Sequence, residues 1–372
     1  MAAGSTVRRS TGSVLEIDLG AIQENYRRLL GVLDGVPSAA VVKADGYGLG
    51  TAQVATALRA AGCRIFFVAH LGEAADLRET LPDAEIFVLN GALPGAEADF
   101  VALDLRPVLN GLGDIERWAA LARAEGRVLA AALHLDTGMA RLGLPADELD
   151  SLADAPSRLD GIALRYVMSH LACAEEADNP MNETQRRAFE DVRARLPAAP
   201  GCFANSSGVF LGSGFHFDLA RPGVALYGAN PTPGRANPMA GAVRLSAPIL
   251  QVRAIDPPAS VGYGATHKID RPARIATVAV GYADGYLRSL SSSGRCHLGG
   301  YDVAVAGRIS MDLITLDVTG VPAEIAHPGA EVEIIGPGQT IDQVAERADT
   351  IPYEILTSLG RRYSRVYTGG TD

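Results

Sequence analysis

Residues Ala39–Gly50 read AAVVKADGYGLG: a short apolar run, a lysine at position 43, and glycines at 46, 48 and 50. An unbroken apolar run suits a strand buried on both faces. The glycines let the backbone turn tightly straight after it and come close to a ligand. An amphipathic stretch, Thr51–Ala61, follows. The segment therefore reads as one strand–helix unit of a parallel sheet. A lysine closing such a strand is costly as a free ammonium unless it is paired or its amine is put to use.

The same alternation runs outward from that unit. Strands are expected at Ala39–Lys43, Ile65–His70, Glu85–Asn90, Pro107–Asn110, Leu129–Asp136, Gly161–His170, Gly201–Asn205 and Phe217–Arg221. Helices are expected at Thr51–Ala61, Gly72–Thr80, Leu112–Gly126 and Asn182–Arg195, where apolar residues recur at i, i+3 and i+4. Eight strands favour a closed (β/α)₈ barrel over an open doubly wound sheet. Val14–Leu30 is expected to add a strand and a helix ahead of the first barrel strand.

A barrel takes about 250 residues, and the chain has 372. The run NPTPGRANPMA at 230–240 looks like a linker. Beyond it, Ala247–Ile255, Ala273–Gly281, Val303–Ile309, Leu313–Val318 and Glu331–Ile335 are short and β-branched, and Ile341–Ala348 and Ile351–Leu359 look helical. The expected architecture is α/β: a TIM-type barrel over 12–240, then a mostly β domain over 241–372 that the N-terminal strand, residues 1–14, is a candidate to join.

Composition narrows the partners. Hydrophobic residues are 48% of the chain and charged residues 20%, so a real core forms. The net charge of -10 offers no positive field for nucleic acid or anionic lipid. Cys63, Cys173, Cys202 and Cys296 have no metal-ligand or disulfide-framework spacing. No long apolar run is present, so a cytoplasmic protein with no bound metal is expected.

Barrel chemistry sits at the carboxyl ends of the strands, and phosphates often bind after strands seven and eight. Lys43 ends the first expected strand, His134 and Asp136 the fifth, His170 the sixth, Asn205 with Ser206 the seventh and Arg221 the eighth. Asn205-Ser206-Ser207-Gly208 and Arg221-Pro222-Gly223-Val224 offer hydroxyl, guanidinium and backbone N–H donors, while a plain helix cap explains the first equally well. No dinucleotide or P-loop motif accompanies them. A single small phosphorylated cofactor is the economical expectation.

The run AVVKADGYGLG (Ala40–Gly50) resembles the pyridoxal-phosphate attachment motif of alanine racemases. The resemblance covers the chain from about Val14 to Tyr367 through HLDTGMARLG (134–143), SHLACAEE (169–176), ANSSG (204–208), RPGVALYG (221–228), VGYGATH (261–267), GYADGYLR (281–288), GRISMD (307–312) and PYEILTSLG (352–360). It implies a homodimer with shared sites that interconverts L- and D-alanine for peptidoglycan. Lys43 would carry pyridoxal phosphate, and Tyr263, supplied by the other subunit, would be the opposing acid/base. Tyr47, Ser206 and Tyr353, with Asn205 and the N–H groups of Gly223 and Val224, would hold the phosphate. Arg221 would face the pyridine nitrogen, and His170 would link it toward Tyr263. Arg141 and the Met311 N–H would receive the substrate carboxylate, and Tyr282 would narrow the entrance.

The chemistry supports two bases independently, because racemisation removes a proton from one face of Cα and returns it to the other. Two residues depart from the family pattern. Many members have a carbamylated lysine where His134 stands, so no carbamate is expected here. The imidazole must be neutral beside Arg141, or a counter-ion such as Asp136 or chloride must intervene. Ser310 stands where many members have cysteine. The competing expectations are a racemase for serine or basic amino acids, a fold-related decarboxylase, disfavoured by Arg221, and a non-catalytic pyridoxal-phosphate-binding barrel.

Overall fold

A computed structural model describes residues 12–370. They divide into two compact units, residues 20–240 and residues 12–19 with 241–369.

The first unit is built on seven parallel strands paired in chain order: Ala40–Val41, Ile65–Val68, Glu85–Val88, Arg106–Leu109, Leu129–His134, Ile162–Met168 and Gly201–Cys202. Parallel bridges Cys202↔Leu219 and Ser38↔Ala220 complete the ring, so the eighth strand expected at 217–221 is reduced to two bridging residues. Ala39 N–H donates to Ala220 O (2.8 Å) and Arg221 N–H to Ala204 O (2.9 Å), sealing both sides of that position. Strands such as Ile65–Val68 and Glu85–Val88 bury every residue but the first, because helices cover one face and the barrel interior the other. Phe67 stacks on Phe87 at 4.9 Å between ring centroids.

The helices at Thr51–Ala60, Leu71–Thr80, Leu112–Glu125 and Pro180–Arg193 lie where periodicity puts them. Two more, Glu97–Ala102 and Ala146–Asp154, are short and acidic in their first turns and lack the long apolar stripe that sequence reading relies on. The segment at 230–240 is pinned to its unit: Asn25 exchanges hydrogen bonds with Ala240 (2.9 and 2.7 Å), and Arg28 reaches Pro238 O at 2.9 Å.

The second unit is a sheet in which Ala273–Val278, Ile314–Asp317, Tyr301–Val305, Arg295–Leu298, Glu331–Ile335 and Val243–Ile255 pair in that order, and the last pairs back to the first. The 13-residue strand Val243–Ile255 closes this ring because it is long enough to serve both neighbours. Val14–Asp18 adds to it antiparallel and Ser364–Thr368 follows in parallel. Leu15 and Ile17 are fully buried while their neighbours are not, so the strand belongs to this unit by its two-residue alternation. It therefore does not extend the barrel. The helix that follows begins at Leu19. Residues 1–11 of the expected N-terminal strand lie outside the described residues.

Candidate active site

The strand expected to run to Lys43 stops at Val41 because the chain turns abruptly. Ala44, Asp45, Gly46, Tyr47 and Gly48 all have positive φ, between 55° and 81°, forming a single left-handed turn. Such geometry costs roughly 1–2 kcal/mol for each residue with a Cβ, and three of these five have one. The turn is tied down accordingly. Gly46 N–H donates to Val42 O (3.0 Å), Gly48 N–H to Ala44 O (2.7 Å) and Thr51 N–H to Asp45 Oδ1 (3.0 Å). Tyr47 is buried and stacks on Tyr227 at 4.5 Å.

Lys43 thus stands at the carboxyl end of the barrel. Burial lowers its amine pKa, the charges of Arg141 and Arg221 lower it further, and Glu73 opposes them. This is the direction an amine must move to act as a base near neutrality.

Arg221 is the deepest cation, only 4% exposed. It donates from one terminal nitrogen to His170 Nδ1 (3.0 Å) and from the other to the Ser169 carbonyl. Its Nε–H is buried with no partner. Neither Arg221 nor Arg141 has a carboxylate within ion-pair distance among the described residues. A buried guanidinium surrounded by neutral acceptors, with one donor unfilled, is incomplete without a ligand.

Two histidines flank it in opposite tautomers. Arginine can only donate, so His170 Nδ1 must accept and its proton sits on Nε2. His134 Nδ1 lies 2.8 Å from Asn110 Oδ1, and the Asn110 amide nitrogen donates to Leu89 O (3.1 Å) and Val108 O (3.0 Å). That fixes Asn110 Oδ1 as acceptor and places the His134 proton on Nδ1, leaving Nε2 a lone pair. Burial and then Arg221 push the His134 pKa down to about 4. Burial, Arg221 and Arg141 hold that of His170 well below its ordinary range. Both rings are neutral at physiological pH. His134 therefore needs no counter-ion, although the charge of Asp136 opposes the shift. Asp136 Oδ1 accepts from the N–H groups of Gly138, Met139 and Ala140 at 2.9–3.1 Å, shaping the turn that presents the exposed Arg141.

The phosphate-prone loops are equally ordered. Ser206 Oγ accepts from Gly223 N–H (2.9 Å) and Ala225 N–H (3.2 Å), so the loops after the seventh strand and the eighth position meet at one buried hydroxyl. A Cβ on Gly223 would overlap the Tyr47 hydroxyl. Val224 opens the short helical turn that follows. Asn205 Oδ1 accepts from Gly208 N–H at 2.8 Å, a local bond that shapes the turn after the seventh strand. A small group with one unprotonated acceptor nitrogen and a phosphate fits this cradle: the orphaned Arg221 Nε–H faces the first requirement and the Tyr47, Ser206 and Gly223 cluster the second.

The remaining expected residues lie in the second unit. Tyr263, Tyr282 and Met311 are 69%, 42% and 54% exposed. The Tyr263 turn packs through Gly262 and Gly264 against Arg308. Tyr282 N–H donates to Ser310 O (3.1 Å) and Ala283 N–H to Met311 O (3.0 Å), so the segments bearing Tyr282 and Met311 are joined. Tyr353 is half-buried on the helix Pro352–Ser358.

A family model described as the alanine racemase N-terminal domain matches residues 17–231, and one for the alanine racemase C-terminal domain matches 242–367. The chain belongs to the alanine racemase family. A Rhodospirillum rubrum alanine racemase is 51% identical over 96% of this chain and 96% of its own length. A Mesorhizobium japonicum protein named alanine racemase, catabolic, is 50% identical over 97% of this chain and 94% of its own. Among solved structures, the Bartonella henselae alanine racemase with covalently bound pyridoxal phosphate superposes with a TM-score of 0.94 at 42% identity, covering 96% of this chain and 100% of that one. The chain is accordingly an enzyme, a racemase of the isomerase class.

Sequence reading missed several residues of this alanine racemase fold. Asn110 ended an expected strand yet was not counted in the polar ring, although its position carried the signal. Gln185, on the helix Pro180–Arg193, is fully buried and bonds Thr137 Oγ1, His170 O and Ala172 N–H at 3.2, 2.9 and 2.8 Å. Thr137 in turn bonds Ser169 Oγ at 2.8 Å, bracing the strand end that holds His170 and Arg221.

Proposed function

We propose that this enzyme interconverts L- and D-alanine with pyridoxal phosphate held on Lys43, and that Tyr263 of a second copy of the chain is the opposing acid/base. The observation that carries it is the Lys43 amine, half-buried at the strand end beside Arg141 and Arg221 with its pKa lowered, next to a guanidinium whose Nε–H is orphaned.

Lys43, Tyr47, His170, Asn205, Ser206, Arg221, Gly223, Val224 and Tyr353 are assigned to the cofactor. Pyridoxal phosphate, when bound, supplies the electron sink that lets a proton leave the amino acid's Cα. Arg221 donates to the acceptor nitrogen and cannot take a proton, which keeps that sink weak and favours rapid return of the proton over other fates. Lys43, its amine pKa lowered by burial and by Arg141 and Arg221, takes or returns the proton on one side, and Tyr263 serves the other. His170, with its proton on Nε2, offers a donor that can steady a phenolate. Arg141 and the Met311 N–H bind the substrate carboxylate, and Tyr282 shapes the entrance.

The exposed Tyr263, Tyr282 and Met311 on neighbouring loops support the assignment to a homodimer, since clustered exposed aromatic and apolar side chains mark contact surfaces. The absence of a nucleic-acid field at net charge -10, and of any described helix long and apolar enough to cross a membrane, supports a small-molecule role in the cytoplasm.

The test is chiral chromatography of purified enzyme with a panel of L-amino acids, together with visible absorbance. Alanine should racemise fastest, and Lys43→Ala should lose both the cofactor absorbance and activity. Faster turnover of serine or a basic amino acid would replace the substrate assignment. Peptidoglycan supply predicts rescue of a D-alanine auxotroph. The Mesorhizobium relative's catabolic name favours a second reading, in which the enzyme serves growth on D-alanine, and a growth comparison on that carbon source separates the two.

A further inference from the structure

We propose that Glu73 is a positioning residue for Lys43, holding the left-handed turn at 44–48 so that the lysine amine stays among the strand-end cations. The proposal deepens the cofactor reading above and rests on Lys43 being the cofactor-bearing lysine. Glu73 Oε1 accepts from Ala44 N–H at 2.7 Å, while Oε2 accepts from Ala69 N–H (2.7 Å) and His70 N–H (3.2 Å). One carboxylate in the first turn of the helix Leu71–Thr80 therefore ties its own helix start and the end of the second barrel strand to the residue immediately after Lys43.

The backbone explains why the turn needs this. Gly46, Gly48 and Gly50 N–H groups close the turn on Val42, Ala44 and Asp45 carbonyls, at 3.0, 2.7 and 2.8 Å. None of these bonds engages the Ala44 N–H, and Glu73 does. Ala44 and Asp45 sit at φ 55°, a region that side chains with a Cβ disfavour. The turn is thus held at both ends by carboxylates, Glu73 at Ala44 and Asp45 at Thr51. Removing the first should let Ala44 relax toward the right-handed region and carry Lys43 with it.

Glu73 also has an electrostatic consequence that a purely mechanical brace lacks. The charged and titratable groups acting with Lys43 are Arg141, Arg221, His170 and Glu73, and Glu73 alone is negative and favours the protonated amine.

The experiment compares wild type, Glu73→Gln and A44G/E73Q. In the apoenzyme, the pH dependence of Lys43 acetylation by acetic anhydride is followed by peptide mass spectrometry, with circular dichroism as the check on folding. Glu73→Gln should fold, and its amine titration should move down by about half a pH unit or more. In the holoenzyme its kcat should fall about tenfold or more while KM for alanine changes by less than about threefold. A44G/E73Q should recover about threefold or more of the lost kcat, because glycine adopts positive φ freely. A kcat within about twofold of wild type with an unmoved amine titration overturns the proposal. If Glu73→Gln does not fold, A44G/E73Q decides: failure to fold there too makes Glu73 a general helix cap and overturns it, and a folded double variant with a lowered amine titration upholds it. Retention of cofactor absorbance in Lys43→Ala would sink the cofactor reading instead, and the apoenzyme titration would still judge Glu73.

Discussion

The two units bring functional residues to their surfaces in opposite ways. In the barrel, Arg221, His134 and Ser206 are at most 8% exposed, and each is held by hydrogen-bond partners that determine its protonation or direction. In the β unit, Tyr263 is 69% exposed on a three-residue helical turn, and only the backbone beneath it is packed. The barrel half is preassembled toward a ligand. The β half presents exposed side chains, as the proposed contribution to a neighbour's site requires.

The sharpest way to break this contrast is at Tyr263. Tyr263→Phe should lower turnover by about 10²–10⁴ with melting temperature unchanged, since an exposed hydroxyl supports no core. Mixing Lys43→Ala with Tyr263→Phe should restore up to about a quarter of wild-type activity, because random hybrid dimers hold one intact site of two. No recovery after subunit exchange would place both bases in one chain.

Gly223 tests the preassembled half. A side chain there meets space already taken by the Tyr47 hydroxyl. Gly223→Ala should displace Tyr47, weaken pyridoxal phosphate binding to the apoenzyme by about tenfold or more and cost about 1–3 kcal/mol of stability. Unchanged affinity in a fluorescence titration would mean that the cradle is not where the phosphate sits.

A third test uses the neutral histidines. Unfolded histidine takes up a proton below its ordinary 6.5, whereas folded His134 does so only near 4. Between those values the unfolded state binds more protons, so stability falls as pH drops from 6.5 toward 4, by up to about 3 kcal/mol from His134. His170 acts in the same direction. Urea unfolding should show this slope, and His134→Asn should flatten it. An unaltered slope would show that folded His134 takes up its proton in the same range as the unfolded residue.

Much of the barrel was legible because runs such as IFFV and EIFV, buried on both faces, have no other use. The eighth strand was overdrawn because only Leu219 and Ala220 pair before the chain leaves for the Arg221 loop. Arg295–Leu298 was passed over, since RCHL gives a single alternation with two polar residues. The ring of strand-end residues was visible, but its wiring was not. Ala44, Asp45 and Tyr47 give no sign that they adopt left-handed geometry, and the Glu73 contact spans 29 residues of sequence. Long-range hydrogen bonds carry no periodicity, so tautomers and tethers become readable only once the fold brings their partners together.

The smallest expected effect probes whether the β half is as well built beneath its exposed side chains as the barrel is. Arg362 bridges Asp284 Oδ1 (3.0 Å) and Asp312 Oδ1 (2.7 Å), joining the Tyr282 turn to the segment carrying Met311. Beneath that bridge, Asp284 Oδ2 already accepts from Gly281 N–H at 2.9 Å, and the Tyr282 and Ala283 N–H groups already bond Ser310 and Met311 carbonyls. Gly281 packs so tightly on the Met311 carbonyl that no Cβ fits. Since the arginine is exposed and its bonds are screened by water, it trims a geometry that the backbone has set. Arg362→Ala should therefore raise KM for alanine by about threefold, leave kcat within about twofold and leave the melting temperature unchanged. A tenfold or greater loss of kcat would show that the Met311 segment is held from outside, and that in the β half the backbone is no better ordered than the side chains it carries.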